Sequence, residues 1–165
     1  MVDVSAKAET AREAVARGRV RMAPATLRLV RKGKTPKGDL FATAHLAAVM
    51  AAKRTDEWIP LAHPLRVEGV EVVFTLADRP ASVHIECRVR TTGRTGVEME
   101  ALTGVSAAAL TLVDMLKAVD RSLVIEHVAL WEKRGGRSGE WRRAAPPRPV
   151  RSPAAKRRAS KSRAR

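Results

Sequence analysis

Between Thr92 and Asp120 the chain reads TGRTGVEMEALTGVSAAALTLVDMLKAVD, and four of its side chains could move protons or hold charge. Glu98 and Glu100 open an otherwise small, apolar helical pattern, and Asp114 and Lys117 stand near its other end at i,i+3. Such groups are costly to bury without partners or a task, so this segment is the first place to look for chemistry. At 1.5 Å per residue, Glu98 and Asp114 would lie about 24 Å apart on an unbroken helix, too far to serve one reacting centre within a subunit. Either one end is structural, or a site combines the start of one subunit's helix with the end of another's. The plainer alternatives are two glutamates that suit a helix N-terminus electrostatically and an exposed Asp114–Lys117 ion pair.

Two loops add candidates. Residues 32–38, KGKTPKG, set Lys32, Lys34 and Lys37 beside a helix start, where an anion could bind. The spacing is not that of a P-loop, and a solvated loop is the plain alternative. Lys37 is nevertheless confined between Pro36 and Gly38. In residues 59–65, IPLAHPL, the prolines stiffen the chain around His63 and aim one imidazole, for a ligand or merely for a turn. His45, His84 and His127 lack ligand spacing and Cys87 stands alone, so no metal site is expected. No nucleophile elbow is present either. The remaining Lys, Asp, Glu and His suit proton transfers on a polar, anionic molecule.

The elements that must position these groups follow from periodicity. Val15–Met22 alternates as a strand, Pro24 opens a short helix Ala25–Arg31, and Asp39 N-caps a helix Leu40–Arg54. Val67–Leu76 and Ser82–Thr91 read as paired strands, Val97–Val119 as the long helix and Ser122–Lys133 as a last strand. This order predicts an α+β fold of ferredoxin-like type, β-α-β-β-α-β, whose antiparallel sheet has its helices packed on one face.

Charge is unevenly spread. The chain carries 32 Lys and Arg against 17 Asp and Glu, for a net charge of +15; residues 142–165 hold ten of the bases and no acid. The expected organisation is one domain over 1–141 and a disordered basic tail over 142–165. A nucleic-acid-binding role through that tail is the alternative reading of the charge, with weak contact as its least demanding form. Against it, 3% aromatic residues leave little for stacking on bases, and residues 1–141 have no helix-turn-helix or zinc finger. One cysteine excludes an internal disulfide, no uninterrupted apolar run approaches membrane-spanning length, and charges break up residues 1–25. A cytoplasmic protein without membrane contact is expected.

Taken together, MVDVSAKAETAREA, KGDLFATAHLAAVMAAKRT, IPLAHPL, the 92–120 segment and GGRSG resemble the cyclic pyranopterin monophosphate synthase family over roughly Val2–Trp141. The resemblance implies a lyase of molybdenum cofactor biosynthesis. Its substrate would be a nucleotide-derived small molecule, 3′,8-cyclo-7,8-dihydroguanosine 5′-triphosphate, rearranged to cyclic pyranopterin monophosphate with loss of pyrophosphate. It implies no resident cofactor, with Mg2+ entering only alongside the triphosphate, and a homohexamer, a trimer of dimers, with shared active sites. It makes Asp114, Lys117 and Lys37 catalytic; the i,i+3 spacing of Asp114 and Lys117, not the resemblance, gives the expectation that Asp114 fixes or deprotonates Lys117. Leu61, Ala62, His63, Met99, Glu100 and Glu98 would bind substrate, and Arg12 and Lys53 would hold phosphates. Departures are Ala62, where many members carry cysteine, and Arg94 and Arg137 in place of lysines.

Overall fold

Alternation of apolar and charged residues builds the sheet. β1 (Thr10–Arg21) contributes Ala14, Ala16 and Val20 to the core, while Glu13, Arg17, Arg19 and Arg21 alternate onto the opposite face. β2 (Gly69–Asp78) and β3 (Ala81–Gly93) form a hairpin in which Val83, Ile85, Cys87 and Val89 face the same core. β4 (Val124–Arg134) and a two-residue β5 (Trp141–Arg142) complete an antiparallel sheet of order β2-β3-β1-β4-β5. The first four strands stand in the ferredoxin-like arrangement that the order of elements predicts. The computed structural model describes residues 1–137 and 139–144.

Four helices accompany the sheet: α1 (Pro24–Arg31), α2 (Leu40–Ala52), one-turn α3 (Thr55–Trp58) and α4 (Glu98–Leu116). Asp39 caps α2 as expected, its carboxylate accepting the Ala42 N–H at 3.0 Å. α4 lies across β1, β3 and β4 and against α2. It is apolar and long enough, by composition and length, to cross a membrane, but here it is the core helix. Small residues let its backbone approach closely. A Cβ added at Gly104 would lie 2.8 Å from Cys87 Sγ and 3.4 Å from the Ala48 carbonyl, and one at Gly18 would lie 2.8 Å from Val105 Cγ1. Cys87 is fully buried under this contact, and burial, with the charge of Glu86, pushes its thiol up to about 12.

The far face of the sheet carries a lattice of ion pairs, among them Arg17–Glu86 at 2.6 Å, Arg19–Glu126 at 2.7 Å and Arg88–Glu13 at 2.7 Å. The helices therefore cover one face only. β1 starts at Thr10 rather than Val15, because β3 gives even its polar first residues ladder partners and β4 joins from Glu13. Sequence periodicity also misses α3 and β5, which are too short to carry any. Arg142, assigned by sequence to the tail, pairs with Glu132, and Arg143 donates to the Leu130 carbonyl at 2.7 Å. The expected tail over 145–165 lies outside the described residues.

Candidate active site

Three charged side chains meet at the C-terminal end of α4. Asp114 accepts from Lys117 Nζ and from Lys37 Nζ, both at 2.7 Å. The first contact is the i,i+3 pair visible in the sequence. The second arises because α2 runs antiparallel to α4: Ala48 lies beside Gly104 midway, so the loop before Leu40 arrives beside Asp114. Hydrogen bonds from Lys117 and Lys37 hold the Asp114 carboxyl down at about 2. The carboxylate is thus ionised at any physiological pH, and the cluster carries two ammonium groups on one anion. All three side chains are about half exposed, at 45%, 53% and 62% for Lys37, Asp114 and Lys117.

The opposite end of α4 gathers the rest. Glu98 folds over Gly96 and pairs with Lys133 Nζ at 3.4 Å; any side chain at position 96 would displace it. Glu100 is buried, and that burial raises its carboxyl to about 7, with the negative charges of Glu98 and Asp56 adding to the shift. Near neutral pH it can hold or release a proton. Met99 between them is partly exposed. Lys53, exposed at the end of α2, falls toward this end by the antiparallel register.

Arg12 reaches here from β1, donating from Nε to the Gly93 carbonyl at 2.8 Å and from a terminal nitrogen to the Arg94 carbonyl at 3.1 Å. Gly135 and Gly136, with φ of 93° and 71°, turn the chain after β4 tightly across it; side chains there would strike the Ala11 backbone and the Arg12 guanidinium. Together Lys7, Thr10, Arg12, Arg94 and Arg137 line an open cavity of about 650 Å3. No Asp or Glu lines it, although Glu9 lies 3.8 Å from Arg94 at its rim. Four cations around one opening suit an anionic ligand. Leu61 is exposed in the 59–65 loop, and His63 Nε2 lies 2.9 Å from the Val2 carbonyl, which ties the loop to the N-terminal segment.

Of the residues singled out by sequence, Lys37, Asp114 and Lys117 are brought into contact. Glu98, Glu100, Met99, Lys53 and Arg12 belong to the other end, as the length of the helix requires. Lys133, Lys7 and Asp56 escaped sequence reasoning. Lys7 stood inside the VDVSAK stretch, whereas Lys133 and Asp56 have local surroundings like those of any surface charge. Among the described residues no group of three or more His, Cys, Asp or Glu could hold a metal ion.

Most of the chain is also similar to known proteins. The profile of the MoaC family matches residues 1–136. The cyclic pyranopterin monophosphate synthase of Thermomicrobium roseum is 59% identical over 143 residues, covering 87% of this chain and 86% of that protein. The synthase of Heliobacterium modesticaldum is 58% identical over 141 residues, or 86% and 89% of the two chains. That of Chloroflexus aurantiacus is 58% identical over 143 residues, or 87% and 88%.

Proposed function

Because this chain belongs to the MoaC family, we propose that it is a cyclic pyranopterin monophosphate synthase, a lyase of molybdenum cofactor biosynthesis. It takes 3′,8-cyclo-7,8-dihydroguanosine 5′-triphosphate to cyclic pyranopterin monophosphate and pyrophosphate by general acid and base steps. The observation that carries the mechanism is the Lys37–Asp114–Lys117 cluster. In the closing step a sugar hydroxyl attacks the α-phosphorus, a new P–O bond forms, and the bond to pyrophosphate breaks. A base must take the hydroxyl proton, and cations must stabilise the charge that builds on the phosphate oxygens. The two lysines divide these needs: one, having released its proton to solvent, takes the hydroxyl proton, and the other, as ammonium, stabilises the charge on the phosphate oxygens. Asp114, held near 2, is too weak a base to take a proton from an ammonium group; it fixes the two lysines in place instead.

The cationic cavity at the other end of α4 takes the triphosphate through Arg12, with Lys53, and Glu98, Glu100, Met99 and the Leu61–His63 loop take the nucleotide part. Since the two ends are separated by the length of α4, one subunit's cavity works with another's cluster in a cytoplasmic homohexamer, a trimer of dimers. This reading is supported by the exposure of the cluster. It is also supported by uncovered apolar groups on the helices, among them Leu46, Met50, Trp58 and Leu110. His63 must exchange the Val2 carbonyl for substrate.

The direct test supplies the cyclised nucleotide to the purified chain and follows pyrophosphate and pyranopterin together. Both should form, and excess EDTA should leave no less turnover than the free triphosphate's own loss of Mg2+ explains. Formation of neither product would end the proposal.

A further inference from the structure

Lys37 and the Asp114–Lys117 pair come from distant parts of the chain, yet they meet at 2.7 Å on an exposed surface. Exposed ion pairs hold little by themselves, so packing must set the approach: the antiparallel α2 fixes the loop on the side of Leu40, and a second contact must fix it on the side of α1. Asp120, just past the end of α4, is 7% exposed and accepts four hydrogen bonds. One oxygen takes the Ala23 N–H and the Thr26 hydroxyl, both at 2.8 Å; the other takes the Ser122 N–H at 2.8 Å and its hydroxyl at 2.6 Å. Ala23 and Thr26 are the start of α1, which has neither a side-chain cap nor an acid of its own in its first turn. The carboxylate from beyond α4 caps α1 in their place.

From there α1 runs directly into the Lys37 loop. The N–H groups of Lys32, Gly33 and Lys34 donate back to Arg28, Val30 and Leu29, and the Thr35 hydroxyl donates to Gly38, so the loop is folded onto the helix. The path from Asp114 through the end of α4, Asp120, α1 and the loop to Lys37 is therefore a closed ring of fixed contacts. We propose that Asp120 is a positioning residue for the Lys37–Asp114–Lys117 cluster, fixing the start of α1 to the end of α4 and so setting the approach of Lys37 to Asp114. The proposal rests on the reading of that cluster as the reacting group. An amide could not replace the carboxylate, because its NH2 would face hydroxyl and N–H donors.

The experiment compares the full-length chain with Asp120→Asn and with Thr26→Val, which deletes one hydroxyl and keeps the shape of the core. Carboxyl-carbon NMR follows the titration of Asp114, and steady-state kinetics follow turnover. Asp120→Asn should move the Asp114 titration upward toward 3.8, its ordinary value. It should also lower kcat about tenfold or more, with KM changed by about twofold or less. Thr26→Val should shift both in the same direction by less, and it carries the test if the asparagine variant does not fold. A folded variant with the Asp114 titration unmoved overturns the proposal. A moved titration with normal turnover keeps the positioning role but refutes the cluster's part in the reaction.

Discussion

An aspartate gripped by two lysines is a group whose protonation is settled well below the working range of an enzyme. Across pH 5–9 Asp114 should add no limb to the pH–rate profile, and its contribution to stability should be present above pH 4 and lost between about 4 and 2. Lys37→Ala and Lys117→Ala should each lower kcat by roughly 10²–10⁴-fold, read by pyrophosphate release. Asp114→Asn with unchanged turnover would sink its assigned role. Glu100 has the opposite sign. Its folded carboxyl is raised to about 7, so its stabilising protonated form is fully present below about 4.5 and is lost as pH rises to 7. Glu100→Gln should be more stable than the parent at pH 8 by roughly 1–3 kcal/mol, and the pH slope of urea midpoints between 5 and 7 should flatten. The Asp114–Lys117 pair was legible in the sequence because i,i+3 spacing is local. Lys37 could be named a candidate, but its arrival at Asp114 depends on the antiparallel return of α2, which no local spacing encodes.

At the scale of elements, the fold rests on how near α4 comes to the sheet. Gly104→Ala should gain helix propensity yet lose more, because the new methyl meets Cys87 Sγ at 2.8 Å in a full core. A net loss of roughly 1–2 kcal/mol is expected, and Cys87→Ala in the same chain should recover much of it, a coupling that a double-mutant cycle measures. Strand order and helix placement were readable because β1, β3 and α4 carry long, regular patterns. The first residues of β1 were not, since Arg12 owes its strand conformation to pairing with β3 and Glu13 to neighbours on both sides. α3 was hidden for a different reason: the Thr55 hydroxyl turns back onto the Ala51 and Ala52 carbonyls, and one such turn has no period to detect.

For the whole molecule, the proposed sharing of sites between subunits makes a prediction that no single subunit can meet. Arg12→Ala and Lys117→Ala chains, each nearly inactive, should recover roughly a quarter of parental turnover when unfolded and refolded together, the share of sites that random mixing builds from two undamaged halves. Recovery near zero would confine the site to one subunit. A chain ending at Ala144 should keep parental turnover, since the family match ends at residue 136 and the last described contacts involve Arg143. Cys87, a residue of β3 sealed beneath Gly104 of α4, has a further use. With a thiol at about 12 and no solvent access, it cannot react with a maleimide at pH 7 until α4 lifts from the sheet. The labelling rate of the native protein is then a clock for that opening, and its only thiol reads the clock without any engineered probe.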